Sequence, residues 1–200
     1  MNIFGIEYDN GYGTRVPHAV NSAKSQCDKH IVKMPLESAQ MLCTAHRVLD
    51  GTEYYDRTKS GAKIKRWKHP DRKMEKILFK ASHVNHPTNK WVRMCRENYG
   101  LMFTYYILCC NEYEHRYGKI HGAKDYWDML REPPKNMPSS VMGHTPVPQA
   151  MKQFPECMVE GDTVQAYRNF YNVAKKRFAT WKERERPYWY GTERLELRAA

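Results

Sequence analysis

Residues 27–49 read CDKHIVKMPLESAQMLCTAHRVL, and this run decides the fold. At about 100° per residue, His30, Lys33, Glu37, Gln40 and Thr44 fall within an arc of roughly 80° on a helical wheel. Ile31, Met34, Met41, Leu42, Ala45, Val48 and Leu49 fill the adjacent face. Val32, Leu36, Ala39 and Cys43 occupy the opposite side, and none is polar. A helix apolar around most of its circumference is a core helix. The pattern predicts a helix over 22–49, broken near Pro35, with its polar stripe facing a partner element or a cleft. Burying His, Lys and Glu unpaired would cost on the order of several kcal/mol each. These groups must therefore pair with one another, with other segments or with a ligand. Lys33 and Glu37 are spaced for an i,i+4 pair. Two readings stand side by side: an internal network that only positions helices, or an acid–base site built on Glu37, His30 and Lys33.

Working outward, the chain has 200 residues, enough for one domain with a real core and no disulfide or metal staple. Its hydrophobic content of 41% excludes a disordered protein. No apolar run reaches the roughly 18 residues of a membrane span, and the amino end lacks a signal-peptide layout. The six cysteines form no Cys-x-x-Cys pair and sit in apolar helical patterns, as reduced buried thiols do. The expectation is a cytoplasmic protein. Net charge is +11 with a pI near 9.3, which favours a polyanionic partner, most simply DNA, over a membrane.

Residues 50–73 read as a polar loop inserted between helices. From Arg57 to Lys80 there are ten Lys/Arg, opposed only by Asp71 and Glu75. Lys63, Lys65, Arg66, Trp67 and Lys68 concentrate the pattern: cations for phosphate, an indole for a base. The alternative is a solvated loop. A long helix follows, with Pro87 in its first turn and Gly118 as its stop. Asn98, Tyr105, Glu112 and Arg116 share one side of it, with Glu112 and Arg116 spaced as a structural pair. His83 and His86 precede it, where the helix end favours neutral imidazole and hydrogen bonding to phosphate. Residues 132–157, with six prolines, are a long irregular connection. Asp162 caps a third helix. The tail from residue 184 carries Arg186, Tyr188, Trp189 and Tyr190; three aromatics in a row cannot all enter a core from one element, so at least one faces a groove or ligand. The nine histidines give no ligand pair on one helix face, and no metal is expected. The fold expected is mainly α, a single domain over 1–200.

Three pieces of this chain resemble the pyrimidine dimer DNA glycosylases of the endonuclease V type, as a phage-encoded relative. DKHIVKMPLE matches that family's D-x-H-x6-E helix, with His30 and Glu37 at the histidine and glutamate. NHPTNKW is similar to its later histidine segment, with His86 at the histidine, and RPYWYG to its DNA-contacting tail. The order of the three is preserved; the basic loop and the proline-rich segment are additions. The resemblance implies a compact, mostly helical domain that removes a damaged or modified pyrimidine and then cleaves the abasic strand. A terminal amine would attack the sugar, the glutamate would steady the cationic intermediate, and neither metal nor cofactor would be needed. Asn2 follows Met1 here, so the amine would be that of Met1, with Lys33 as a substitute if burial lowers its pKa. Other classes weighed are a phage transferase that modifies hydroxymethylated pyrimidines and a non-catalytic DNA-binding or host-interaction protein.

Overall fold

Two helices carry the core, and both explain themselves by side-chain chemistry. The computed structural model describes residues 2–9, 17–139, 143 and 145–191. Helix α1 spans Ala19–Ser25 and α2 spans Asp28–Asp50. Strands β1 (Thr52–Arg57) and β2 (Lys63–Lys68) form an antiparallel hairpin. Short helices α3 (Arg72–Ile77) and α4 (Pro87–Val92) lead into α5, Arg96–Tyr117. A 3-10 turn at Gly122–Tyr126 runs into α6 (Trp127–Leu130), and α7 (Thr163–Phe170) continues as a π-turn at Tyr171–Lys175. The fold is thus mainly helical with one small sheet. Among the described residues, no helix is long and apolar enough to cross a membrane.

Helix α2 lies along α5, burying Ile31, Met34, Met41 and Leu42 against Tyr99, Met102, Tyr106 and Cys109. Each such side chain contributes about 1.5–3 kcal/mol by leaving water. The tyrosines also fix the loops, because a buried hydroxyl requires a partner. Tyr99 donates to the Leu130 carbonyl at 2.8 Å, Tyr106 donates to the Ala123 carbonyl, and Tyr105 accepts the Phe4 amide at 3.1 Å. All six cysteines are buried free thiols, as expected.

Several boundaries differ from the sequence reading. The expected break at Pro35 does not occur; Pro35 sits inside α2, and the chain instead turns at Gln26 and Cys27, both extended. The Asp28 amide there bonds the Thr180 carbonyl at 2.8 Å, so a tertiary contact sets the helix start. Residues 50–73 are not a loop but mostly the hairpin, whose tip turns at Gly61 with φ of 84°. The long helix is divided between Val92 and Arg96, where the Asn98 amide bonds the Trp91 carbonyl at 2.8 Å and holds the turn. Gly118 does end α5 in a left-handed conformation, and Asp162 does cap α7 by accepting the Gln165 amide at 3.0 Å.

Arg47 ties the hairpin to this core. Its guanidinium donates to the carbonyls of Trp67, Glu75, Leu78 and Phe79 and to the Glu75 carboxylate, all within 2.6–3.0 Å. The end of β2 and the end of α3 therefore hang on one buried side chain of α2.

Candidate active site

The first half of α2 is one-sided rather than wholly buried: Val32 and Leu36, expected inside, are exposed along with Lys29 and Lys33. The polar stripe therefore crosses from core to solvent. At its inner end His30 stacks on Phe4 at 4.2 Å and its Nδ1 is 2.5 Å from the Tyr171 hydroxyl. Burial pushes the His30 pKa down to about 3, reinforced by the charges of Lys175 and Lys33. A neutral, enclosed imidazole cannot exchange protons with an outside substrate, so His30 positions Tyr171 and the amino-terminal segment instead. Thr44, at the other end, accepts the Ser82 amide at 3.2 Å and pins the loop before α4.

Glu37 lies at the rim. Its side chain is 14% exposed and bonds the Lys33 ammonium at 2.9 Å. Gln40 is half-buried one turn further along. Lys33 itself is 65% exposed, which removes the burial that would have made it a neutral nucleophile. His86 caps α4, its Nδ1 accepting the Thr88 amide at 3.2 Å, and it is near enough to Glu37 to sense the carboxylate. Burial lowers its pKa, the neighbouring His83 adds to this, and Glu37 opposes it. The Nδ1 contact leaves the proton on Nε2, so the neutral His86 ring keeps one N–H to donate. His83 has a positive φ of 48° and is exposed on the same loop. Met1, assigned the amine, falls outside the described residues.

Lys175 was not singled out by sequence. It closes the π-turn that begins at Tyr171, a type of distortion frequent at functional sites. Its ammonium lies 4.3 Å over the Phe170 ring and 5.8 Å from Phe178. Burial lowers its pKa; the Cys27 thiol opposes this, and Lys33 and Arg177 add to it. Its charge also acts on His30. Lys33 thus links two groups, bonding Glu37 directly and disfavouring the charged form of Lys175.

The second polar set is structural. Arg116 is fully buried, bonded to Glu112 at 2.7 Å, Asp28 at 2.9 Å and the Lys24 carbonyl, while Arg184 holds the other Glu112 oxygen at 2.8 Å. Asn98 is spent on Trp91 and on Thr145, whose amide it accepts at 2.8 Å.

The nucleic-acid residues divide. Lys63, Lys65 and Lys68 are exposed on the hairpin, and Arg66 is half-buried. Trp67 is half-buried with its carbonyl held by Arg47, so it is poorly placed to stack on a base. The exposed rings there are Tyr54 and Tyr55, the latter 58% exposed with Lys63 3.8 Å above it. In the tail, Trp189 and Tyr190 are buried, Trp189 donating to Glu7 at 2.6 Å and Tyr190 packing on Trp181. They clamp the tail to the core, correcting their assignment as base contacts. Arg186 is exposed, and Tyr188, 75% exposed, is the outward aromatic of the three.

No protein-family model matches this chain, and no curated protein or solved structure matches it significantly.

Proposed function

We propose that this protein is a DNA glycosylase and abasic-site lyase acting on damaged or modified pyrimidines. The observation that carries the reading is Glu37: a rim carboxylate bonded to Lys33, whose charge is felt at His86, on the helix that also carries His30. A basic hairpin with exposed tyrosines supplies a polyanion-binding surface elsewhere on the molecule. In this scheme a neutral amine attacks C1′ and the base leaves with the bonding electron pair. The sugar ring opens to a protonated imine. Loss of a C2′ proton then expels the 3′ phosphate and breaks the strand. Glu37 steadies the cationic intermediate and accepts the proton; His86 donates to the departing group.

Among the lysines described, Lys175 is the one whose pKa is lowered: desolvation leads, the Cys27 thiol opposes it, and the Lys33 and Arg177 charges add to it, so we choose it as the attacking amine. Borohydride added to the protein with an abasic-site duplex, and with an ultraviolet-irradiated one, is expected to trap a covalent adduct on Lys175. Lys175→Ala should abolish trapping. An adduct mapped to the α-amine would overturn the choice of nucleophile but keep the reaction class; no adduct and no nick on either duplex would overturn the function.

The hairpin alone would serve a non-catalytic DNA-binding protein equally well, and the group around Glu37 is what separates the two. A two-stranded ribbon fits a major groove about 12 Å wide. Lys63, Lys65 and Arg57 lie on one face with Tyr55. Replacing Lys63 and Lys65 by alanine is expected to weaken duplex binding. The slope of log K against log salt should fall by about 0.9 for each phosphate no longer neutralised. Fluorescence anisotropy across a salt series measures this; unchanged affinity and slope would remove the hairpin from the interface.

A further inference from the structure

A second constellation lies away from Glu37, where α2 ends and β2 returns to meet it. His46 and Asp50, one turn apart on α2, face His69, the residue after β2. One Nδ1 or Nε2 from each imidazole and a carboxylate oxygen of Asp50 all lie within 4.8 Å of one another. Both histidines are enclosed, at 3% and 5% exposure. His46 Nδ1 and His69 Nε2 are both buried without a hydrogen-bond partner. Orphaned buried nitrogens are costly and ask for an explanation.

We infer that His46, Asp50 and His69 form a binding site for a divalent transition metal, of the zinc class, that stitches the base of the hairpin to α2. Two imidazoles and a carboxylate are a ligand set suited to zinc. His46 already has the required outer arrangement. Its Nε2 is 2.9 Å from the Tyr99 hydroxyl, and that hydroxyl donates its own proton to Leu130, so it accepts the Nε2–H. This fixes the Nδ1 lone pair toward Asp50 and His69, as outer partners of metal-bound histidines do. Asp50 is held by the amides of Lys135 and Asn136, each at 2.9 Å, which aim its carboxylate without consuming both lone pairs of either oxygen.

His69 is the ligand that must adjust. Its Nδ1 accepts the Asp71 amide at 3.1 Å, which places the ring proton on Nε2, 3.9 Å from Asp50. Coordination through Nε2 moves that proton to Nδ1 and gives up the hydrogen bond to the amide. A metal–nitrogen bond outweighs one neutral hydrogen bond that water can replace, so the exchange is favourable. The same three atoms would also accommodate one buried water, donating to His46 and Asp50 and accepting from His69. The two occupants differ sharply in what they do to a chelated sample.

The test uses the full chain, freed of metal by a chelator and titrated with cobalt chloride. Visible bands of a low-coordinate cobalt centre should grow to saturation at one equivalent and be displaced by zinc sulfate. The melting temperature should rise with the logarithm of free zinc. His69→Gln should lose both effects, whereas His121→Gln, in a turn outside the cluster, should keep them. If His69→Gln does not fold, the parent titration still decides the matter. Absence of saturable cobalt binding and of a zinc-dependent melting shift would overturn the site, leaving a hydrated polar cluster. So would binding that survives both His46→Gln and His69→Gln.

Discussion

Arg47→Met should lower the melting temperature by roughly 6–20 °C. The arginine side chain is 4% exposed and serves four backbone carbonyls and the Glu75 carboxylate. Methionine keeps the apolar stem but is shorter and donates nothing. Four carbonyls from β2, α3 and the segment after it are then left without their donor together. Removing one member of a buried charged network costs about 3–5 kcal/mol, and about 2–4 °C follows each kcal/mol in a chain of this size. Glu75 keeps only the His69 amide, at 2.7 Å. Burial raises the Glu75 pKa, but the His69 amide and Arg47 outweigh it and hold the carboxyl low in the parent. Thermal unfolding by circular dichroism measures the loss, with Arg131→Met as the control: Arg131 is exposed and 3.7 Å from Glu132, so its removal should stay within about 0.5 kcal/mol. A change at Arg47 no larger than the control would mean that the hairpin and α3 are not held by this side chain.

Arg47 also marks where sequence stops being legible. Its partners are mostly carbonyl groups, which every residue carries, so no pattern in the chain announces them. Signals that act locally were readable: Gly118 as a helix stop, Asp162 as a cap, the i,i+4 pair Lys33–Glu37, the buried helix seams and their thiols. Signals that depend on a distant segment were not. Pro35 is a local breaker, yet the helix runs through it and starts where Thr180 supplies an acceptor. The hairpin was hidden because Thr52–Arg57 and Lys63–Lys68 put charges on both faces, erasing the in–out alternation that identifies a half-buried strand. Trp189 and Tyr190 read as base-stacking rings because nothing nearby in the chain shows Glu7 or Trp181. Lys175 stands in a run of cations that looks solvated, and only Phe170, the π-turn and α2 set it apart. His46 and His69 are separated by the whole hairpin, so their meeting could not be seen from spacing.

Glu37→Gln should reduce strand cleavage of an abasic-site duplex by about 10²–10⁴-fold, the range that a positioned proton-transfer group contributes. The amide is the same size, so the rim of α2 keeps its shape, but it carries neither the charge to steady a cationic imine nor a base to take the C2′ proton. The Lys33–Glu37 pair itself is worth only about 0.2–0.5 kcal/mol, because Lys33 is mostly exposed. Duplex affinity should hold, because the cations of the hairpin are far along the chain from the change and remain intact. Single-turnover cleavage, anisotropy and melting, measured on one preparation, separate these three effects. Loss of cleavage with binding and melting intact places Glu37 in the chemistry. Loss of all three would make it a packing residue, and the stripe on α2 would revert to a network that positions helices. A fully active Glu37→Gln would remove the carboxylate from the mechanism, since no charge-neutral side chain can hold a developing cation as well as an anion does at a site water can reach only in part.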